Sequence, residues 1–323
     1  MVAVQSAPAH PRYVWWNGEM VEWEQATVHV TEMEWVGVSA VFEGIKAYRN
    51  PEEERINIFR LPEHLHRFDD SMKLMNMEPT WSAAELRDAI VELLQANETK
   101  DDTYIRPMAY FGRGGRSFRG RTEEAPNILI HAYPFKTALK TGKTLNAGVS
   151  SWTRISDNVM PPRVKAVANY RNSSLAWNEV QKNGYDEAII LNDRHKVAEG
   201  PGACVMLVKR GRVITPPVTS SVLESVTRAS LLQMFGEQLN TPSEEREVDR
   251  TELYLADEIF FCGTGSEVTP VVSVDHYQVG DGKIGPITAR MIDLYHDVVR
   301  GLDAPYDQWR TAVAGKTRKA RAK

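Results

Sequence analysis

Arg163-Val164-Lys165-Ala166-Val167-Ala168-Asn169-Tyr170-Arg171-Asn172-Ser173 is the stretch around which the whole chain can be read. One lysine stands there among small apolar residues, just after Pro161-Pro162 and just before a helical pattern. A desolvated lysine loses its proton more readily than an exposed one, and the neutral amine can attack a carbonyl. A lysine that opens a helix is more often a solvated or snorkelling side chain, so its neighbours must decide.

Outward from that segment, the chain alternates strand and helix signals. Upstream, Asn17-Gly18 between apolar runs marks a hairpin, residues 26–30 and 56–59 read as strands, and Pro62 opens a helix carrying Leu65, Phe68, Met72 and Met75 at spacings of three and four. Arg67 lies beside that apolar stripe. Ser82-Ala83-Ala84-Glu85 is a capping box for the next helix. Strands are predicted at 104–111 and 127–133, around a glycine- and arginine-rich loop at 112–120 that is either a solvated hairpin or an anion-recognising lid. It does not fit the dinucleotide fingerprint.

Downstream, the predicted elements are a strand at 145–152, a helix from the lysine segment to the C-cap signal Asn183-Gly184, and strands at 188–192, 196–199, 205–209 and 212–215. A helix follows over 223–239, then Leu253-Tyr254-Leu255, 259–262 and 268–272 as short alternating segments, and a helix over 286–299. The division predicted is a smaller α/β domain at 1–136, a linker at 137–143 and a larger domain at 144–323 that ends in a basic, disordered tail.

The bulk properties narrow the function. A chain of 323 residues with 42% hydrophobic and 25% charged residues can bury a sizeable core. A formal net charge of −4 argues against nucleic acid as the main partner. No apolar run reaches the roughly 18 residues of a membrane helix, and the first twelve residues lack the apolar stretch of a signal peptide. A cytoplasmic protein is the expectation. Cys204 and Cys262, each in an apolar run, read as buried inert thiols without a neighbouring His or Cys in sequence, and no metal site is expected.

The segment from Lys165 to Ser173 resembles the lysine segment of the class IV (fold type IV) pyridoxal-phosphate aminotransferases, most closely the branched-chain amino acid aminotransferases. Further matches follow in the family's order: Val41-Phe42-Glu43-Gly44-Ile45, Glu63-His64-Leu65-His66-Arg67, Tyr104-Ile105-Arg106-Pro107, Glu199-Gly200-Pro201-Gly202, Leu223-Glu224-Ser225-Val226-Thr227-Arg228 and Gly263-Thr264-Gly265-Ser266-Glu267. The resemblance implies an α/β (α+β) two-domain fold with pyridoxal 5'-phosphate at the domain interface, and a homodimer. It implies transfer of an amino group from leucine, isoleucine or valine to 2-oxoglutarate by a ping-pong route.

On that resemblance Lys165 is the catalytic and cofactor-bearing residue. Glu199 would face the pyridine nitrogen, Tyr170 the phenolic oxygen, and Arg67, Val226, Thr227 and Thr264 the phosphate, since helix N-termini and tight turns offer free N–H groups to an anion. Phe42, Tyr104, Arg106, Thr264 and Gly265 would bind substrate. Tyr104 and Arg106, alternate residues of one strand, point to the same face. Departures occur where the family usually shows His-Tyr-Gly-Thr-Ser and this chain has Val36-Gly37-Val38-Ser39-Ala40, at Gly202-Ala203-Cys204 in place of Gly-Glu-Asn, and in the basic Arg113, Arg116, Arg119 loop. These leave open an (R)-selective amine transaminase or a D-amino-acid aminotransferase, and a non-catalytic cofactor carrier.

Overall fold

The computed structural model describes residues 10–112, 125–302 and 304–313, backbone only at 32 and 34–36. The loop from Arg113 to Arg119 and the basic tail therefore lie outside the described residues.

Asn17 and Gly18, both at positive φ (51° and 94°), turn β1 (Tyr13–Trp16) into β2 (Glu19–Glu22). Residues 26–30, predicted as a strand, form no ladder. Their backbone bonds stay local, Ala26 N–H to Trp23 and Thr27 N–H to Gln25, and the chain passes through short 3-10 turns at Trp23–Gln25 and Val30–Glu32 into α1 (Met33–Ser39). The alternation there was a real signal, but a strand needs a neighbouring edge to pair with.

Next come β3 (Val41–Phe42), β4 (Ile45–Asn50), β5 (Arg55–Phe59), α2 (Leu61–Leu74), α3 (Ala83–Ala96), β6 (Thr103–Tyr110) and β7 (Asn127–Pro134). The Ser82–Glu85 capping box is formed on both sides. Leu65, Phe68 and Met72 of α2 are fully buried in a cluster with Ile45, Ile58 and Ile105 of the sheet, each such burial contributing about 1.5–3 kcal/mol.

The second half holds β8 (Leu145–Thr153), α4 (Asn169–Lys182), β9 (Glu187–Leu191), β10 (Val197–Glu199), β11 (Cys204–Lys209), β12 (Arg212–Thr215), α5 (Val226–Glu237), β13 (Ser243–Glu245), α6 (Arg250–Tyr254), β14 (Glu258–Gly263), β15 (Glu267–Val274), β16 (Tyr277–Gln278), α7 (Pro286–Arg300) and β17 (Arg310–Val313). Leu253 and Tyr254 belong to a short helix. Its start is written in the sequence as a second capping box, Asp249 with Glu252, which the apolar alternation hides.

Among the described residues the strands form two sheets. The first runs β17-β5-β4-β6-β7-β1-β2, with β3 on β6. The second runs β10-β9-β8-β15-β14-β11-β12-β13, with β16 on β15, and turns back on itself where β10 also pairs with β11. One element crosses the division read at 137–143. β17 returns to pair with β5, Arg310 opposite Phe59, because a helix as long as α7 carries the chain back over the first sheet.

Candidate active site

The lysine segment reaches its place through its backbone. Asn169 Nδ2 donates to the Pro161 and Val164 carbonyls at 3.1 and 2.9 Å, folding the loop ahead of α4. Phe42 N–H donates to the Lys165 carbonyl at 2.9 Å and Val167 N–H to the Ala40 carbonyl at 2.8 Å, which ties this loop from the second half to β3 of the first. Lys165 N–H donates to Ser71 Oγ of α2 at 3.2 Å. The side chain is 9% exposed. Its Nζ lies 2.6 Å from the Tyr170 hydroxyl and over the Phe42 ring, 4.8 Å from the centroid.

Across from it, β10 ends at Glu199, which is buried. One oxygen accepts from Arg154 Nε and Nη2 at 2.9 and 2.7 Å, and the other accepts from Leu223 N–H at 3.2 Å. Burial pushes the Glu199 carboxyl above its ordinary range; Arg154, the Leu223 N–H and the charge of Lys165 pull against that without reversing it. At Gly200 a Cβ would sit 2.8 Å from the Phe261 ring and 3.2 Å from the Ala188 carbonyl, so glycine is needed for the chain to turn there. Arg154 was not foreseen. It stands at the end of a strand with no local pattern around it.

Cys204 and Cys262, distant in sequence, are paired residues of β11 and β14, and both line the cavity. They are thus neighbours after all. Both remain free and buried, with burial pushing the Cys204 thiol up to about 12 and Cys262 in the same direction, which keeps them protonated and unreactive.

Arg67 is buried on α2 and forks onto Glu43, Nε at 2.7 Å from one oxygen and Nη2 at 2.7 Å from the other, while Nη1 donates to the Glu224 carbonyl at 2.7 Å. His64 Nδ1 lies 2.8 Å from the same carboxylate. Burial alone would raise the Glu43 carboxyl, but Arg67 and the His64 hydrogen bond hold it far below the usual range. Three N–H groups of Arg67 are committed in this way; a guanidinium carries about five, so part of the fork stays available to an anion.

Thr264 and Gly265 form the turn between β14 and β15 and line the cavity, as does Ser225. Val226 and Thr227 open α5 one position further on, and neither is part of the cavity wall; Ser225 caps that helix by accepting from Arg228 N–H. Opposite, Phe42, Gly44, Tyr104 and Arg106 supply the wall from the first sheet. A Cβ on Gly44 would lie 1.8 Å from the Tyr104 hydroxyl, so the residue beside Glu43 must be glycine for Tyr104 to keep its place. The Arg106 guanidinium rests on the Phe42 ring at 4.4 Å. Among the described residues, no carboxylate or carbonyl accepts from it.

The result is a cavity of about 320 Å³ between the two sheets. It holds a buried amine with a hydroxyl beside it, a buried carboxylate opposite, and an arginine with N–H groups to spare. Two hydroxyl-bearing turns at Ser225 and Thr264 complete the wall. An aldehyde, a basic ring nitrogen and a phosphate each find a partner of the right chemistry here, so the residues present fit pyridoxal phosphate. Among the described residues, no group of three His, Cys, Asp or Glu side chains could hold a metal ion, and no helix is long and apolar enough to cross a membrane.

Comparison with known proteins agrees with this chemistry. Residues 40–274 match the family model described as amino-transferase class IV. The probable branched-chain-amino-acid aminotransferase of Aquifex aeolicus is 40% identical over 304 residues, 94% of this chain and 97% of that one. The branched-chain-amino-acid aminotransferase of Escherichia coli K12 is 36% identical over 92% of this chain and 95% of its own. Among solved structures, the branched-chain amino acid aminotransferase of Thermobaculum terrenum in its PLP form superposes with a TM-score of 0.92 at 45% identity, covering 94% of this chain and 99% of that chain.

Proposed function

Because this chain belongs to the class IV aminotransferases, with the two-domain fold type IV architecture and pyridoxal 5'-phosphate as cofactor, we propose that it moves the amino group of leucine, isoleucine or valine to 2-oxoglutarate. The observation that carries the reading is the buried Lys165 amine, 2.6 Å from Tyr170 and across one cavity from Glu199.

When bound, pyridoxal phosphate supplies an aldehyde carbon for amine exchange and a ring that draws electrons from the substrate's α-carbon. Lys165 Nζ would hold that aldehyde, and as a free amine could take the α-proton from the donor and return it. Tyr170 orients the amine through its hydroxyl. Glu199 would receive the ring N–H, and Arg154 favours the ionised carboxylate against the cost of its burial. Arg67, Ser225 and Thr264 would hold the phosphate, with Val226 and Thr227 adding the first N–H groups of α5.

Donor and acceptor use the cavity in turn, which is the basis of a ping-pong route. Tyr104 and the Thr264-Gly265 turn take the α-carboxylate that both substrates carry. Phe42 packs on the aliphatic side chain. Arg106, with no acid paired to it among the described residues, takes the second carboxylate of glutamate or 2-oxoglutarate, while its seat on Phe42 lets a branched aliphatic chain use the same space.

The assembly we propose is a homodimer. Val30, Met33 and Val38 are 72%, 63% and 56% exposed on the segment leading into the cavity wall, and apolar side chains so grouped favour a partner surface. A cytoplasmic setting suits the two cysteines that stay unpaired.

The test is a visible spectrum of the purified protein with pyridoxal phosphate, before and after L-leucine, (R)-1-phenylethylamine and D-alanine. Loss of the bound cofactor's band with L-leucine, its return with 2-oxoglutarate and its absence in Lys165→Ala are expected. Discharge by the amine or by D-alanine, with leucine inert, would overturn the branched-chain reading in favour of the (R)-amine or D-amino-acid enzyme.

A further inference from the structure

Lys46 and Glu267 form an ion pair at 2.7 Å with side chains only 1% and 0% exposed, and neither touches the cavity. The Glu267 carboxylate is saturated. Besides Lys46 Nζ, it accepts from Thr137 Oγ1 at 2.9 Å on both oxygens and from Ala138 N–H at 2.7 Å. One carboxylate of β15 therefore joins β4 of the first sheet to the segment at 137–138 between the sheets.

What lies on either side of the pair is the substrate end of the cavity. Glu267 pairs with Gly263 across β14 and β15, closing the turn that holds Thr264 and Gly265. Its φ of 52° is a conformation that a glutamate rarely adopts, so the turn's geometry depends on what holds that side chain. Lys46 is the cross-strand neighbour of Tyr104. The Lys46 Nζ also sits over the Phe135 ring at 4.9 Å, and Phe135 packs against Tyr104 at 5.5 Å. A buried pair of this kind contributes little net stability, since the desolvation of both charges offsets their attraction. Stability alone gives a weak reason for placing it here.

We propose that the Lys46–Glu267 pair is a positioning element for substrate recognition, holding the Thr264-Gly265 turn and Tyr104 at the separation that receives an α-carboxylate. The inference rests on the reading of those residues as the carboxylate site. Neither Lys46 nor Glu267 touches the reacting atoms; they act through the two walls that they join.

The experiment uses the holoenzyme with Lys46→Met, Glu267→Gln and both together. It reads the thermal midpoint, the Kd for pyridoxal phosphate, and inhibition of leucine turnover by 4-methylpentanoate, an acid without the amine, and by 3-methylbutylamine, the amine without the acid. Each single variant leaves one buried charge uncompensated and melts earlier, whereas the double variant regains the wild-type midpoint. The double variant is expected to bind 4-methylpentanoate roughly tenfold more weakly, because a displaced recognition group loses its contacts steeply with distance. Its affinity for 3-methylbutylamine and for pyridoxal phosphate stays near wild type. A double variant that binds the acid as tightly as wild type, or one that never regains the midpoint, assigns the pair a purely structural role and overturns the proposal alone. If wild-type enzyme binds the acid no better than the amine, the carboxylate reading fails and takes the proposal with it.

Discussion

Arg154 Nε and Nη2 converge on a single oxygen of Glu199, at 2.9 and 2.7 Å, the arginine just past the end of β8 and the glutamate at the end of β10. Both side chains are buried. The pairing leaves the second oxygen to the Leu223 N–H and exposes the carboxylate to the cavity with its charge balanced.

Breaking this pair should be costly. Arg154→Leu strands the Glu199 charge in the interior, and a loss of about 3–5 kcal/mol in stability is expected, measured as a shift of the urea midpoint. Glu199 would then titrate at higher pH, so the leucine half-reaction should also slow most at low pH. A midpoint shift corresponding to under about 1 kcal/mol would show that Arg154 is not the partner that keeps Glu199 ionised.

Arg106 should discriminate between acceptors. Arg106→Leu removes a charge-assisted hydrogen bond, worth about 1.5–3 kcal/mol, from substrates with a second carboxylate only. KM for 2-oxoglutarate is expected to rise roughly 10- to 100-fold, with KM for 4-methyl-2-oxopentanoate nearly unchanged in the reverse direction. Equal increases for both would move Arg106 from side-chain recognition to a general role.

His131 is the cross-strand neighbour of Arg106, and burial together with that guanidinium holds its pKa down to about 4. The unfolded chain protonates near pH 6.5, so between pH 6.5 and 4 the unfolded state binds the extra proton and stability falls as pH falls. The slope is at most about 1.4 kcal/mol per pH unit. His131→Gln should flatten the dependence of the urea midpoint over that window. An unchanged slope would assign the acid sensitivity to other groups, His64, also depressed by burial, among them.

Gly44 should tolerate no side chain. Gly44→Ala places a Cβ where the Tyr104 hydroxyl now is, and overpacking of this kind costs about 1–3 kcal/mol. Tyr104 must turn away, so KM for leucine is expected to rise by roughly tenfold with the cofactor still bound. Wild-type KM in this variant would mean that Tyr104 does not contact the substrate.

The legible parts of this chain were those whose physics is local. An Asn-Gly pair needs two residues at positive φ, a capping box satisfies the first N–H groups of its own helix, and the spacing of Leu65, Phe68 and Met72 faces one side of α2, so each could be read from a few neighbouring residues. Lys165 was readable for the same reason, its small apolar neighbours and the start of α4 lying within a few residues of it. Where local signals competed, the reading slipped: residues 26–30 alternate like a strand but find no edge, and the Asp249–Glu252 cap outweighs the apolar triplet at 253–255.

Partnership between distant charges was decided by the tertiary structure alone. That Cys204 faces Cys262 follows from strand register, and that Glu199 meets Arg154, Glu43 takes the fork of Arg67 on α2 and Lys46 crosses to Glu267 follows from how the sheets, α2 and the loops pack together. A one-residue slip in a strand would send its side chains, Lys46, Cys204 and Cys262 among them, to the opposite face. The sequence by itself determined which residues could carry the chemistry and where helices and turns begin. Which charge neutralises which was settled only when two sheets closed around the cavity, because a buried charge selects its partner by distance in space.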